Sequence, residues 1–300
     1  MSESIVNQLD PSESDLTEFL ISLKEAKQCI KSDALKGRRA VVFGALWNSI
    51  GAACAVMLAE FGCELIVVQG ESEAAINPTL EYLQRQGFQG VHKLVSDLSI
   101  PGSGKKTAEE IEEKFPGIDL CLYISGLSAY YPYTEPDTTA AHRLFQINLI
   151  SMAEAFGVFL TKHLNRLKNN PEARLDLGGC SSIQALFAIS SNAGFYSASK
   201  AGVEQYLRGL SVQYATDGVR THCVAPGCVD TARHRSSESE FTATRRIGEQ
   251  TPLGEIAPAG VIAHSFLSSI CGPRNSVGGM LVCDGGWSAS GAVYARDQNG

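Results

Sequence analysis

From Lys36 onward, short apolar runs alternate with longer amphipathic stretches, and this alternation restricts the chain to few architectures. The runs at Arg39–Phe43, Glu64–Val68, Val91–Val95, Leu120–Ser125, Leu175–Cys180, Arg220–Val224 and Met280–Cys283 predict strands. Helical spacing predicts helices over Ile50–Phe61, Ala74–Gln86, Lys105–Lys114, Thr138–Leu164, Ser197–Tyr214 and Ala259–Ser268. Strands separated by helices pair in parallel, with helices covering both faces of the sheet. The expected fold class is therefore α/β: a doubly wound, Rossmann-type parallel sheet. Such sheets bind ligands at the carboxyl ends of their strands.

Residues 1–35 read as a separate helical extension. Leu16, Phe19, Leu20, Leu23, Ala26 and Ile30 fall at helical spacing behind a capping Ser12 or Ser14. Residues 36–290 form the Rossmann-type domain and 291–300 a tail. A net charge of −7 without a basic block excludes nucleic acid as a partner. The nine cysteines lack CxxC pairs, and the six histidines lack metal-ligand spacing. Reduced thiols and no metal site are expected. The polar start MSESIVNQLD is not a signal peptide, and no unbroken apolar run approaches the ~18 residues of a membrane span. A cytoplasmic protein with no membrane partner is expected.

The first strand runs into Gly44-Ala-Leu-Trp-Asn-Ser-Ile-Gly51. A glycine-bearing turn before a helix lets backbone approach a pyrophosphate at the helix N-terminus, which makes Gly44, Ser49, Ile50 and Gly51 candidate cofactor residues. After the second strand, Gln69 is able to bond a ribose hydroxyl, Glu71 would repel a 2′-phosphate, and no Arg or Lys is close in sequence. NAD is thus favoured over NADP. The third strand ends at Ser96-Asp97-Leu98. There Asp97 either accepts from an adenine amino group or caps a turn.

Phe195-Tyr-Ser-Ala-Ser-Lys-Ala-Gly202 opens a helix, with Tyr196 and Lys200 four residues apart on one face. A phenol with a reference pKa of ~10 needs a neighbouring ammonium to act near neutral pH. Ser182 ends a strand fourteen residues before Tyr196. Asn148 stands in an otherwise apolar helix, where an amide is unfavourable without a task. Ala225-Pro-Gly-Cys-Val-Asp-Thr231 follows another strand.

These elements, in this order, resemble the short-chain dehydrogenase/reductase family over about Lys36 to Trp287. The resemblance implies that Tyr196 is the general acid/base, Lys200 its activator and ribose anchor, and Ser182 the orienter of the substrate oxygen. It also implies that Asn148 supports a proton-relay water. Ser125-Gly126 takes the place of the family's Asn-Ala-Gly element, and Pro226, Gly227, Val229 and Thr231 lie beside the nicotinamide. The expected reaction moves a hydride between NAD or NADP and the carbonyl or secondary alcohol of a small organic substrate. A homodimer or homotetramer, with helices around 140–164 and 197–214 at the interface, is implied.

The glycine-rich loop departs from the family pattern: Phe43 replaces Thr, one residue is added, and Ser49 replaces the middle Gly. The Ser-Ile pair is similar to that of divergent enoyl reductases, but three residues between Tyr196 and Lys200, rather than six, point to carbonyl–alcohol chemistry. Ser190 and Ser191 are rival hydroxyls to Ser182. Tyr130, Tyr131, Tyr133 and the polar stretch 232–250, with Arg233, His234, Arg235, Arg245 and Arg246, are expected to wall the substrate pocket. Two other readings stay open: the same site used for dehydration or isomerisation, and a non-catalytic nucleotide-binding scaffold.

Overall fold

The computed structural model describes residues 33–187, 190–232, 238–273 and 275–290. Its central sheet has seven strands: β1 (Arg39–Phe43), β2 (Leu65–Gly70), β3 (Val91–Val95), β4 (Leu120–Tyr123), β5 (Leu175–Cys180), β6 (Val219–Pro226) and β9 (Met280–Cys283). The strands are all parallel, in the order β3-β2-β1-β4-β5-β6-β9. Strand order reverses between β1 and β4, which leaves a crevice above their carboxyl ends. Phe43 pairs in register with both Gln69 and Tyr123, so three strands end level there.

Helices α1 (Ile50–Glu60), α2 (Glu73–Arg85), α3 (Ser103–Lys114), α4 (Thr138–Phe145), α5 (Ser151–Leu167), α6 (Gly194–Tyr214) and α8 (Ala259–Cys271) surround the sheet. Alternation along β1 sends Ala40 and Val42 into one core with Val56, Ile262 and Phe266. It sends Val41 and Phe43 into a second core with Ile111, Phe156, Phe159 and Leu207. Leu35, at the end of the expected extension, is 2% exposed in the first core, so the folded unit reaches back at least that far. The helix expected over residues 12–30 lies outside the described residues.

Two differences from the sequence expectation bear on the site. The expected continuous helix over 138–164 is interrupted by a π-turn at Gln146–Ile150. The carbonyl of Ile147 within it accepts from the Tyr123 hydroxyl at 2.8 Å. The run Thr138–Leu167 is also apolar and long enough, by length and composition, to cross a membrane. Counting unbroken apolar runs misses it because Glu154 and Lys162 interrupt the stretch. Its buried face, with Met152, Ala155, Phe156 and Phe159, fills the second core.

The polar stretch 232–250, expected to wall the substrate pocket, is in part a helix, α7 (Glu238–Glu249); Arg233, His234 and Arg235 lie outside the described residues. Arg245 pairs with Glu249 on it. A short parallel pair, β7 (Val229–Asp230) with β8 (Ala257–Pro258), holds the base of this segment. The described residues end on α9 (Trp287–Ser290).

Candidate active site

The glycine-rich loop keeps its shape despite its altered sequence. Gly44 takes φ +82°, a left-handed conformation that a side chain disfavours, and a Cβ there would sit 2.7 Å from the amide of Ser125. A Cβ on Gly51 would collide with the Gly44 carbonyl. The backbone is therefore folded as tightly as a pyrophosphate cradle needs, and the residues fit a dinucleotide. Ser49 caps α1 by accepting from Ala52 N at 3.2 Å. The added length is absorbed by Asn48, at φ 52°, and by Trp47, whose ring packs 5.4 Å from that of Tyr82 on α2.

Gln69 corrects the sequence reading. It is 1% exposed, its amide nitrogen donates to the carbonyl and hydroxyl of Ser96, and its oxygen accepts from Gly44 N at 3.2 Å. The side chain is consumed holding β1 and β3 together behind the loop, and it does not face a ribose. Glu71, just past β2, is exposed. The nearby cation Lys93 is held by Glu73 and Asn77, each at 3.0 Å.

At the end of β3, Asp97 is exposed and accepts from Ser99 N at 2.8 Å. Hydrogen bonding from the Ser99 hydroxyl first, then from its main chain, with the charge of Arg143, outweighs burial and holds the carboxyl below the usual range. The turn-capping reading therefore holds for one oxygen. Leu98 is buried, with its carbonyl accepting from Ser151. Past β6, Gly227 donates to Cys283 O at 2.9 Å, beside Asp284. Ala232, immediately after Thr231, donates to Asn48 O at 2.9 Å, which joins the Pro226–Thr231 segment to the glycine-rich loop. Val229 is buried in β7.

The chemical residues converge on the carboxyl ends of β4 and β5. Asn148, 1% exposed in the π-turn, accepts from Leu127 N at 2.7 Å and donates to Leu127 O and to Ser199 Oγ, each at 2.9 Å. Ser199 in turn donates to Tyr196 O at 2.7 Å. The buried Lys200 donates to Cys180 O at 2.7 Å, with its Nζ 6.0 Å from the centre of the Tyr196 ring. A Cβ on Gly126 would lie 3.1 Å from Lys200 Nζ and 3.5 Å from Asn148 Oδ1, so Ser125-Gly126 forms the floor beneath both.

Ser182 is buried two residues past Cys180. It accepts from Gln184 N at 3.2 Å, which leaves its own hydrogen available to donate. Of its rivals, Ser191 is exposed and Ser190 half-buried. Cys180 is a packed thiol: burial pushes it up, against the opposing pull of Lys200. The eight cysteines among the described residues are all free thiols, and no metal-binding cluster occurs among those residues.

Sequence reasoning missed two neighbours of the site. Glu204, buried one turn beyond Lys200, contacts Ser181 Oγ at 2.7 Å, and that hydroxyl also contacts Lys200 O at 3.2 Å. Gln184 reaches towards Tyr130, whose ring centre is 6.4 Å from that of Tyr196. The i, i+4, i+8 spacing of Tyr196, Lys200 and Glu204 was the available signal for the first.

Residues 44–288 match the family model described as Enoyl-(Acyl carrier protein) reductase. The chain is 26% identical to a tropinone reductase homolog of Arabidopsis thaliana, over 88% of this chain and 84% of that one. It is 28% identical to cis-4-hydroxycyclohexanecarboxylate dehydrogenase of Sinomonas cyclohexanicum, over 86% and 99%. A solved gluconate 5-dehydrogenase of Burkholderia cenocepacia, in complex with NADP and tartrate, shares the fold. Its TM-score is 0.73, at 21% identity, over 86% of this chain and 98% of that one.

Proposed function

The chain belongs to the short-chain dehydrogenase/reductase family, and on that premise we propose that it is an NAD(P)-dependent oxidoreductase interconverting a carbonyl and a secondary alcohol. The observation that carries the reading is Lys200 Nζ held 6.0 Å from the Tyr196 ring, above Gly126 and beside Asn148. A fixed ammonium favours the phenolate and brings the phenol into range as a proton donor and acceptor.

When bound, the nicotinamide supplies or accepts the hydride. The residues of the chain handle the oxygen. Ser182 donates its hydrogen to the substrate oxygen and orients it. In reduction Tyr196 gives its proton to that oxygen, and in oxidation it takes one from the hydroxyl. Lys200 stabilises the phenolate and binds the nicotinamide ribose. Asn148, locked by Leu127 and Ser199, fixes the π-turn so that a water beside it links Lys200 to solvent.

Gly44, Ser49, Ile50 and Gly51 would hold the pyrophosphate, Asp97 and Leu98 the adenine, and Ser125 and Gly126 the ribose. Pro226, Gly227, Val229 and Thr231 would hold the nicotinamide. Glu71 supports NAD over NADP, since a carboxylate at the end of β2 repels a 2′-phosphate. The same reading makes the protein a cytoplasmic homodimer or homotetramer, with α5 and α6 at the interface.

The test is cofactor absorbance during incubation with ketones and alcohols, for wild type and Tyr196→Phe. Turnover with NADH that disappears in the variant is expected. Turnover that survives the substitution would remove Tyr196 from the mechanism, and failure to bind either NADH or NADPH would sink the whole reading.

A further inference from the structure

Around Tyr196 the carboxyl edge of the sheet leaves large apolar side chains uncovered. Tyr130 is 49% exposed, Leu186 40% and Phe187 43%. They form one rim. Tyr130 leans over Tyr196, and the turn at Ile183–Ala185 leads from Ser182 to Phe187, whose amide donates to Ile183 O. Phe187 then meets Trp287 edge-on, with centres 6.1 Å apart. Contiguous aromatic surface of this kind beside a reactive group is the mark of a surface that a ligand covers.

Within this rim stands one amide with an unmet need. The main-chain N–H of Gln184 is used on Ser182 Oγ, and its side-chain Nε2 lies 3.5 Å from the Tyr130 hydroxyl. Its Oε1 is buried and has no hydrogen-bond partner among the described residues. Buried polar atoms are nearly always partnered, and an orphan beside an open site marks where a ligand group belongs. The reacting oxygen already has Ser182 and Tyr196, so Gln184 is left for a second polar group. A hydroxyl suits it best, being able both to donate to the amide oxygen and to accept from the amide nitrogen.

We infer that the substrate is a ring-bearing ketone or secondary alcohol that also carries a hydroxyl. Its ring packs against Tyr130 and the Phe187–Trp287 pair, and its hydroxyl is read by Gln184. This rests on the hydride-transfer reading above.

The test uses three eight-carbon ketones with the full chain and NADH or NADPH: 3-hydroxyacetophenone, acetophenone and 2-octanone. Wild type should prefer them in that order by kcat/KM. Gln184→Leu should lower the ratio of hydroxylated to plain ring about tenfold, the worth of one hydrogen bond. Phe187→Ala should lower the ratio of plain ring to 2-octanone by a similar factor. An equal fall on both rings in Gln184→Leu, or a wild-type preference for 2-octanone, would overturn the inference while leaving hydride transfer standing. Calorimetric titration of the cofactor-loaded protein separates the two failures. Selective binding of 3-hydroxyacetophenone without turnover keeps this inference and sinks hydride transfer, whereas absence of both binding and turnover overturns it.

Discussion

At the amino ends of β1, β4, β5 and β6, charged side chains meet one another; at the carboxyl ends of the same strands, polar side chains meet main chain and open space. Asp176, 1% exposed on β5, takes His222 Nε2 at 2.7 Å and Arg220 at 2.9 Å on one oxygen and Arg38 at 2.8 Å on the other. Arg38 goes on to Asp119 at 2.7 Å, and His222 Nδ1 to Ser269 at 2.7 Å. Three strands or their leading residues are tied by one carboxylate, and Arg38 extends the network to a fourth through Asp119. Around Tyr196 and Ser182, by contrast, Gln184 keeps an unmet acceptor and aromatic surface stays exposed. The lower network is closed and serves the fold. The upper one is left incomplete among the described residues, which is what the proposed ligand site requires.

The widest gap between the two ends is expected from Tyr196→Phe. It removes one hydroxyl at the upper edge, so the rate should fall by about 10²–10⁴, the usual worth of a positioned acid/base. Thermal melting should move little. A variant that melted well below wild type would show that the phenol is part of the fold's own bonding.

Asp176→Ala should do the reverse. Removing the one carboxylate leaves Arg220 without its counter-charge, Arg38 with Asp119 alone and the buried His222 Nε2 without its hydrogen-bond partner, which typically costs about 3–5 kcal/mol. Denaturant titration reads this, and kcat/KM of the folded fraction should stay near wild type. Burial pushes the Asp176 carboxyl up, but the His222 hydrogen bond and the Arg38 and Arg220 charges outweigh it and bring it to about 2. A depressed carboxylate gives stability that is present above its unfolded value, ~3.9. That stability is lost as pH falls through about 2. Wild type should therefore shed the advantage over this acid window, and Asp176→Ala should not.

Gly51→Ala tests the upper edge on its cofactor side. The new methyl meets the Gly44 carbonyl, so the loop must open. Overpacking of this kind costs about 1–3 kcal/mol. Titration should show that loss in NADH affinity, about ten- to a hundredfold at its larger end. Unchanged affinity would mean that the loop does not cradle the dinucleotide.

Much of the frame was legible because it is written in local pattern. β1, β3, β5 and β9 fall at the residues that alternation and apolar runs predict, since both cores are built directly from those runs. The placement of Asn148, Tyr196 and Lys200 followed from helical spacing and strand ends. What escaped were features made by tertiary contact. The π-turn carries Asn148 onto Leu127, a contact across twenty-one residues of sequence. Gln69 turned inward, where Ser96 and Gly44, each one residue past the end of another strand, complete its amide. The Arg38–Asp119–Asp176–Arg220–His222 network joins residues from four separate segments, and no window of sequence contains its logic.

Glu204 sits between the two regimes, a buried carboxyl like Asp176 but on the chemical side of the sheet. Its contact with Ser181 Oγ at 2.7 Å raises a question of proton count, because that hydroxyl also faces Lys200 O at 3.2 Å. One hydroxyl hydrogen serves both acceptors poorly. A protonated Glu204 would donate to Ser181 and free its hydrogen for Lys200 O, completing the chain. Burial, opposed by the Ser181 bond and Arg208, pushes this carboxyl above its ordinary value. A raised carboxylate favours the fold below its unfolded value and loses that contribution as pH rises through the folded one. Glu204→Gln keeps a neutral donor at every pH, so it should match wild type in acid and melt higher in alkali. The difference should be the smallest of the four effects, about 1–2 °C. Equal melting across the range would show that Glu204 is ionised throughout, with Ser181 donating to it and Lys200 O left to the weaker contact.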